Sequence, residues 1–196
     1  MSTMNTSPPQ LTPTQPRREG WTVRPWHAVH AAAAMTGFLV SVVASNIVSV
    51  HWPPIVIAGL VVPAGTVFAG TSLTARDLVH GTLGAYGVAV GIVAGAGLSA
   101  VFASPQMAAA GVVAFTTSEI VDALIYTRLR HRSLLGAVAV SNAGGLVVDS
   151  VLFVPLAFGG FTAVPGQIVG KALATVLTLA ALQIATVFAR RAVTRT

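Results

Sequence analysis

The chain has 196 residues, of which 54% are hydrophobic and only 8% charged, and its mean hydropathy is +0.80. A water-soluble domain carries about 25% charged residues, so most of this surface must face lipid. The net charge of +6 would suit nucleic acid, but the arginines stand in short clusters between apolar runs, as membrane-orientation signals do. The composition excludes a soluble domain, and the absence of cysteine excludes disulfides and thiolate chemistry.

The N-terminal segment, residues 1–26, is predicted to be a disordered cytoplasmic tail. Its first twenty residues are rich in Pro, Thr, Ser and Gln and cannot bury apolar surface. The apolar run that begins after Trp26 is longer than the core of a signal peptide, which predicts an uncleaved first span. We expect the transmembrane domain over 27–190 and a short cytoplasmic tail over 191–196.

Six apolar segments follow in chain order, each of roughly the length that crosses a bilayer as a helix. They cover 28–50, 55–79, 83–103, 107–128, 133–157 and 166–189. The breaks suit turns, and the paired prolines after His51 and Trp52 cannot continue a helix. The predicted fold class is an all-α membrane protein, a bundle of six transmembrane helices.

Every cationic cluster falls on one side of this predicted bundle. The clusters are Arg17, Arg18 and Arg24 before the first segment, Arg76 and His80 at the second turn, Arg128, Arg130 and Arg132 in the fourth, and Arg190, Arg191 and Arg195 after the last. The first, third and fifth turns contain no Lys or Arg. The positive-inside rule therefore predicts cytoplasmic termini in a multi-pass protein of the inner membrane.

Three glycines, Gly87, Gly91 and Gly95, repeat every four residues on the third segment. Such spacing lets two helices approach closely. It predicts tight packing inside the bundle or, less often, the seam of a homo-oligomer.

Four of the five acidic residues lie inside apolar segments, together with the only lysine. They are Asp77, Glu119, Asp122, Asp149 and Lys171. A charge at the bilayer centre costs about 2.5–3.5 kcal/mol on insertion scales, so each should face the bundle interior and find a partner. Ionisable residues with so high a free-energy cost of insertion indicate a functional site.

Depth along the helices predicts which of these residues meet. Asp149 and Lys171 lie on consecutive segments at nearly the same depth, which predicts an ion pair, with Asn46 near the same level. This pair either ties two helices together or contacts a ligand. Asp77 adjoins Arg76, where a local pair would suffice.

Glu119 and Asp122 are three residues apart and share a helix face. Two acids on one face exceed what packing requires, which favours a binding role. Asn142 and Asp149 are seven apart and also share a face. The candidate substrate-binding residues are Glu119, Asp122, Asn142, Asp149, Lys171, Asn46 and Asp77.

Catalysis is not expected. The sequence 166–171, GQIVGK, resembles a nucleotide-binding P-loop, but it has three residues between the glycines instead of four, and Ala172 stands where Ser or Thr is needed. No nucleophile–base arrangement and no zinc-ligand spacing is recognisable. We therefore predict no enzyme activity, no metal and no cofactor.

The stretch Ser118–Gly159 resembles the core of the vitamin uptake transporter family, which includes the queuosine precursor transporters. It has an acid-rich helix ending in Tyr and a basic turn, then a Ser-x-x-Gly run, an Asp and a Phe-rich end. GQIVGK at 166–171 is similar to the family's last helix, and RDLVHGTLG at 76–84 to its Asp-containing turn. Gly81 stands where members often carry Glu.

The resemblance implies six helices, cytoplasmic termini and uptake of 7-deazaguanine bases. It also implies a topology similar to the substrate-binding subunits of energy-coupling-factor transporters. The chemistry fits, because a carboxylate accepts both N1–H and the exocyclic amine of such a base. We expect Glu119 or Asp122 to accept from the N1–H and amine edge of the base. Asn142, Asp149 and Lys171 are expected to complete the pocket.

Two other functions are compatible with the sequence. The chain would be a substrate-binding membrane subunit for another vitamin-like molecule, working with an external ATPase module, or a membrane scaffold that transports nothing. The expected partners are a small molecule and the lipid bilayer, and no nucleic acid.

Overall fold

The computed structural model describes residues 25–193. Within them the chain forms α1 (Pro25–His51), β1 (Ile55–Ile57), β2 (Leu60–Val62), α2 (Thr66–Phe102), α3 (Pro105–Leu129), α4 (Leu134–Phe158) and α5 (Val164–Val193). All five helices are long and apolar enough to cross a membrane, which confirms a helical membrane protein. Nearly all of the predicted disordered tail, and the last residues 194–196, lie outside the described part of the chain.

The prediction that residues 55–65 begin a helix is wrong, because they form a β-hairpin and α2 starts only at Thr66. Ile55 pairs with Val62 in an antiparallel register. Ala58 and Gly59 form the two-residue turn with φ of 51° and 79°, the positive values that a type I′ hairpin turn requires. β-branched residues favour strands over helices, which explains the correction.

Helix α2 folds back on itself at Gly84, whose φ of 68° and ψ of −168° are not helical. The Ser45 hydroxyl donates to the Gly65 carbonyl at 3.0 Å, and the Asn46 side chain donates to Ser99 Oγ at 2.8 Å. A straight helix would hold Gly65 and Ser99 about 50 Å apart. Because both contact the same turn of α1, α2 consists of two antiparallel arms, 66–83 and 85–102.

The bundle therefore has two ends. The hairpin end contains the β-hairpin, the α2–α3 turn at 103–104 and the α4–α5 turn at 159–163. The arginine end contains Gly84 and the α3–α4 turn at 130–133. A serine N-cap starts one helix at each end. At the hairpin end, Ser104 caps α3 and accepts from the Met107 amide at 3.1 Å. At the arginine end, Ser133 caps α4 and accepts from the Gly136 amide at 3.2 Å.

The glycine repeat packs inside the bundle. A Cβ added to Gly91 would lie 2.9 Å from the Phe38 ring, and one added to Gly95 would lie 3.3 Å from Val42. At these two positions the glycines admit α1, which confirms the tight-packing interpretation. Large apolar side chains instead lie mostly exposed around the outside, as expected where lipid is the solvent.

Candidate functional site

Lys171 of α5 and Asp149 of α4 form an ion pair in the centre of the bundle, and each residue is only 3% exposed. Lys171 Nζ also lies 5.5 Å from the centre of the Phe153 ring. The predicted pairing is confirmed. Each charge satisfies the other, so neither needs a ligand to be stable in this position.

Two further polar contacts lie near this pair. Asn46 joins α1 to Ser99 on the second arm of α2. The Thr66 hydroxyl, at the start of α2, donates to Gln167 Oε1 at 3.0 Å. The central polar layer is defined as these contacts and the ion pair: Asn46, Thr66, Ser99, Asp149, Gln167 and Lys171.

Sequence reasoning missed Thr66 and Gln167. Gln167 precedes Lys171 by four residues and so shares its helix face, a signal that was present in the sequence. Thr66 has no such signal, because its position depends on where the hairpin ends. Both residues are 1% exposed.

The cavity in the central polar layer is small. It has a volume of about 40 Å³ and is bordered by Asn46, Asp149, Gln167 and Lys171. The prediction that Asn46 lies at the same depth as the Asp149–Lys171 pair is confirmed. A space of this size holds about one water molecule, so it excludes an organic solute in this conformation.

Arg76, on the first arm of α2, is 7% exposed and contacts two carboxylates. It donates to Asp77 Oδ1 through Nη2 at 2.6 Å and Nε at 3.0 Å, and through Nη1 to Glu119 of α3. The local pair with Asp77 is confirmed. The pair with Glu119 was missed, because it depends on how α2 folds back against α3.

A cavity of about 490 Å³ opens at the arginine end, where α2, α3 and α4 meet. The arginine-end cavity is lined by Arg76, Asp77, His80, Glu119, Asp122, Ala123, Tyr126, Val138, Ser141 and Asn142. Glu119 and Asp122 share this face as predicted. Asn142 of α4 joins them from the opposite wall.

The two acids of α3 differ in their surroundings. Glu119 is held by Arg76, whereas Asp122 forms no ion pair with any described residue. Asp122 Oδ1 is buried without a hydrogen-bond partner. Asp122 lies against Gly145 of α4, where an added Cβ would be 3.4 Å from the aspartate Cβ. Among the described residues, Asp122 is thus the carboxylate of this cavity that has no ion-pair partner.

The seven candidate residues do not line one cavity. Asp77, Glu119, Asp122 and Asn142 line the arginine-end cavity, whereas Asn46, Asp149 and Lys171 border the small central one. Asp149 and Lys171, which we expected to complete the pocket, lie at the central cavity in this structure. Asp149 lies seven residues, about 10 Å, beyond Asn142 along α4, and its charge is already neutralised.

The arginine-end cavity provides three carboxylates, one guanidinium, an amide and the rings of Tyr126 and His80. Carboxylates accept from N–H donors, and aromatic rings stack on planar groups. The cavity therefore suits a planar solute that carries several hydrogen-bond donors.

Long apolar helices around a cavity of this size define a multi-pass membrane protein with space for a small solute. The profile of the family described as "Putative vitamin uptake transporter" matches residues 24–190. The chain belongs to this family of membrane transporters for vitamin-like small molecules. Comparisons with curated proteins and with solved structures found no match.

Proposed function

We propose that this protein imports queuosine precursors, 7-deazaguanine bases, across the inner membrane. The arginine-end cavity is the binding pocket in an inward-facing conformation. Cationic clusters at this end support a cytoplasmic orientation for it and for both termini. Transport by this single chain is the simplest function for a transporter-family member with a solute-sized pocket.

Six membrane passes are part of the proposal. Each arm of α2 has about 18 residues and is about 27 Å long, close to the 30 Å hydrocarbon core. A single 37-residue pass would be about 55 Å long, far more than a bilayer needs. Two passes in α2 return every arginine cluster to the same side.

One observation carries the substrate assignment: Asp122, on the wall of a solute-sized cavity, has no ion-pair partner among the described residues, and its Oδ1 is buried without a hydrogen bond. A 7-deazaguanine presents N1–H and its exocyclic amine side by side, and a carboxylate accepts both at once. Asn142 is the donor for the base carbonyl, and Tyr126 is the ring on which the base stacks. Arg76 keeps Glu119 engaged, so we assign the amine edge to Asp122.

The volume is consistent with this assignment. Pockets for small molecules measure about 300–1,000 Å³, and the arginine-end cavity measures about 490 Å³. A polar base leaves water only if its donors and acceptors are matched inside the protein. The cavity offers both kinds of partner.

Complementation tests the proposal. A strain unable to make or import queuosine precursors receives this gene and an external 7-deazaguanine base, and queuosine in its tRNA is measured. We expect queuosine to return with the unmodified chain and uptake to fall at least about tenfold with Asp122→Asn, which loses a charge-assisted acceptor.

Thr127→Ala is the matched control, because Thr127 is exposed on the next turn of α3 and is not among the residues that line the arginine-end cavity. It should transport normally. No queuosine with the unmodified chain would overturn the substrate. Equal uptake by Asp122→Asn and the unmodified chain would overturn the site.

A further inference from the structure

A second large cavity lies at the hairpin end of the bundle. Its volume is about 460 Å³, close to that of the arginine-end cavity. The residues that line this hairpin-end cavity include Ser49, His51, Trp52, Pro63, Phe158 and Thr162. The Trp52 and His51 rings lie 6.1 Å apart, and no Asp or Glu is among the described residues that line the cavity.

The central polar layer separates the two cavities, as the order of residues along the helices shows. On α4, Phe158 lines the hairpin-end cavity, Asp149 lies in the layer and Asn142 lines the arginine-end cavity. Along the chain into α2 the order is the same, from Pro63 to Thr66 to Arg76. Two solute-sized spaces are therefore separated by a layer whose own cavity holds about one water.

We infer that the hairpin-end cavity is a second binding site for the transported base, a capture site on the outer side, and that the central polar layer is the closed gate between the two cavities. This inference rests on the proposed function. Trp52 provides a face on which a planar heteroaromatic ring stacks, and the Ser49 and Thr162 hydroxyls provide hydrogen bonds.

Helix α5 is the element that opens the gate. Gln167 and Lys171 connect it to Thr66 of α2 and Asp149 of α4, so both contacts break when α5 moves away. The third contact of the layer, Asn46 to Ser99, joins α1 to α2 and does not involve α5. Because the contacts are polar, water or the solute can replace each partner during opening.

The interface between α5 and the first arm of α2 is closely packed at Gly70. A Cβ on Gly70 would lie 2.5 Å from the Ala174 Cβ, and the Thr175 hydroxyl donates to the Gly70 carbonyl at 3.1 Å. The side chains that contact each other around Gly70 are small, and the long Gln167 side chain is held to the first arm of α2 by its hydrogen bond with Thr66. Such an interface suits two helices that separate and meet again.

A disulfide tests the gate. A Cβ on Gly170 would lie 3.6 Å from the Thr66 Cβ, inside the 3.5–4.5 Å range of disulfides, and the chain has no cysteine of its own. Oxidised Thr66→Cys/Gly170→Cys should lose uptake of a labelled 7-deazaguanine base, and reductant should restore the value measured before oxidation. Full uptake by the cross-linked protein would overturn the gate.

The matched control joins helices that the gate leaves together. Val42→Cys/Gly95→Cys links α1 to the second arm of α2, with the added Cβ 3.8 Å from the Val42 Cβ. Its uptake should be the same oxidised and reduced. Equal loss of uptake in both pairs would contradict α5 as the moving element.

Binding to the cross-linked protein tests the capture site. Oxidised Thr66→Cys/Gly170→Cys should still bind the labelled base from the hairpin side. Adding Trp52→Ala should weaken that affinity about tenfold, because it removes a stacking surface, whereas Trp52→Phe should keep most of it. Equal affinity with and without the Trp52→Ala substitution overturns the capture site if the unmodified chain transports the base. No transport by the unmodified chain overturns the proposed function itself.

Discussion

The acidic side chains of the described helices have ion-pair partners with one exception. Asp149 is neutralised by Lys171, and Asp77 and Glu119 share Arg76. Asp122 has no ion-pair partner among the described residues. Since a buried charge is expensive in a membrane, we proposed that a ligand contributes the donors that Asp122 lacks.

The Asp149–Lys171 pair predicts an asymmetry between single and double variants. Asp149→Asn or Lys171→Gln alone leaves an uncompensated buried charge and should destabilise the fold by about 3–5 kcal/mol. The double variant removes both charges and should recover most of that loss. Unfolding curves in detergent measure it. A double variant no more stable than either single variant would show that the two charges do not depend on each other.

Glu119 predicts a loss of function without a loss of fold. Glu119→Gln keeps a hydrogen-bond acceptor for Arg76 but removes a charge from the cavity wall, and Arg76 keeps Asp77. Uptake should fall while the melting temperature in detergent stays within a few degrees. A protein that only organises other membrane proteins would show no change in uptake, which would contradict the transporter assignment.

At the scale of the elements, the breaks between helices were predictable because prolines, glycines and arginine clusters mark them. The hairpin was not, since a short apolar run fits a buried helix as well as a strand. Ile55, Val56 and Ile57 are β-branched, and Gly59 supplies the turn, so the signal was present but was absorbed into a longer apolar segment.

Gly84 predicts a position-specific effect. Its φ of 68° and ψ of −168° lie in a region open essentially to glycine alone, so Gly84→Ala should destabilise by about 1–3 kcal/mol. Gly81→Ala is the control, because its added Cβ meets nothing within 4 Å and alanine favours helix by about 0.5–1 kcal/mol. Thermal unfolding followed by circular dichroism compares them. Equal effects would mean that the fold-back at Gly84 is not required.

For the whole molecule, helix depth alone predicted the Asp149–Lys171 pair, because consecutive segments are neighbours. The Arg76–Glu119 and Thr66–Gln167 contacts were beyond sequence reasoning, since each depends on how α2 folds back against α3 and α5. For the same reason, the candidate residues expected in one pocket are divided between the arginine-end cavity and the central cavity.

The topology predicts which positions face outward. In a chain without cysteine, an impermeant maleimide should label Ala103→Cys and Gly160→Cys on intact cells. Gly81→Cys and His131→Cys should react only after the membrane is permeabilised. Labelling of Gly81→Cys and Ala103→Cys from the same side would contradict six passes.

The central claim, that the arginine-end cavity binds a 7-deazaguanine base, is tested most directly by protection of a cysteine on its wall. Ala123 lines the cavity and is exposed, and Thr127, one turn on, is exposed but is not among the lining residues. In permeabilised membranes, the base should slow the maleimide modification of Ala123→Cys and leave the modification rate of Thr127→Cys unchanged. Equal rates at Ala123→Cys with and without the base would contradict binding of the base in the arginine-end cavity.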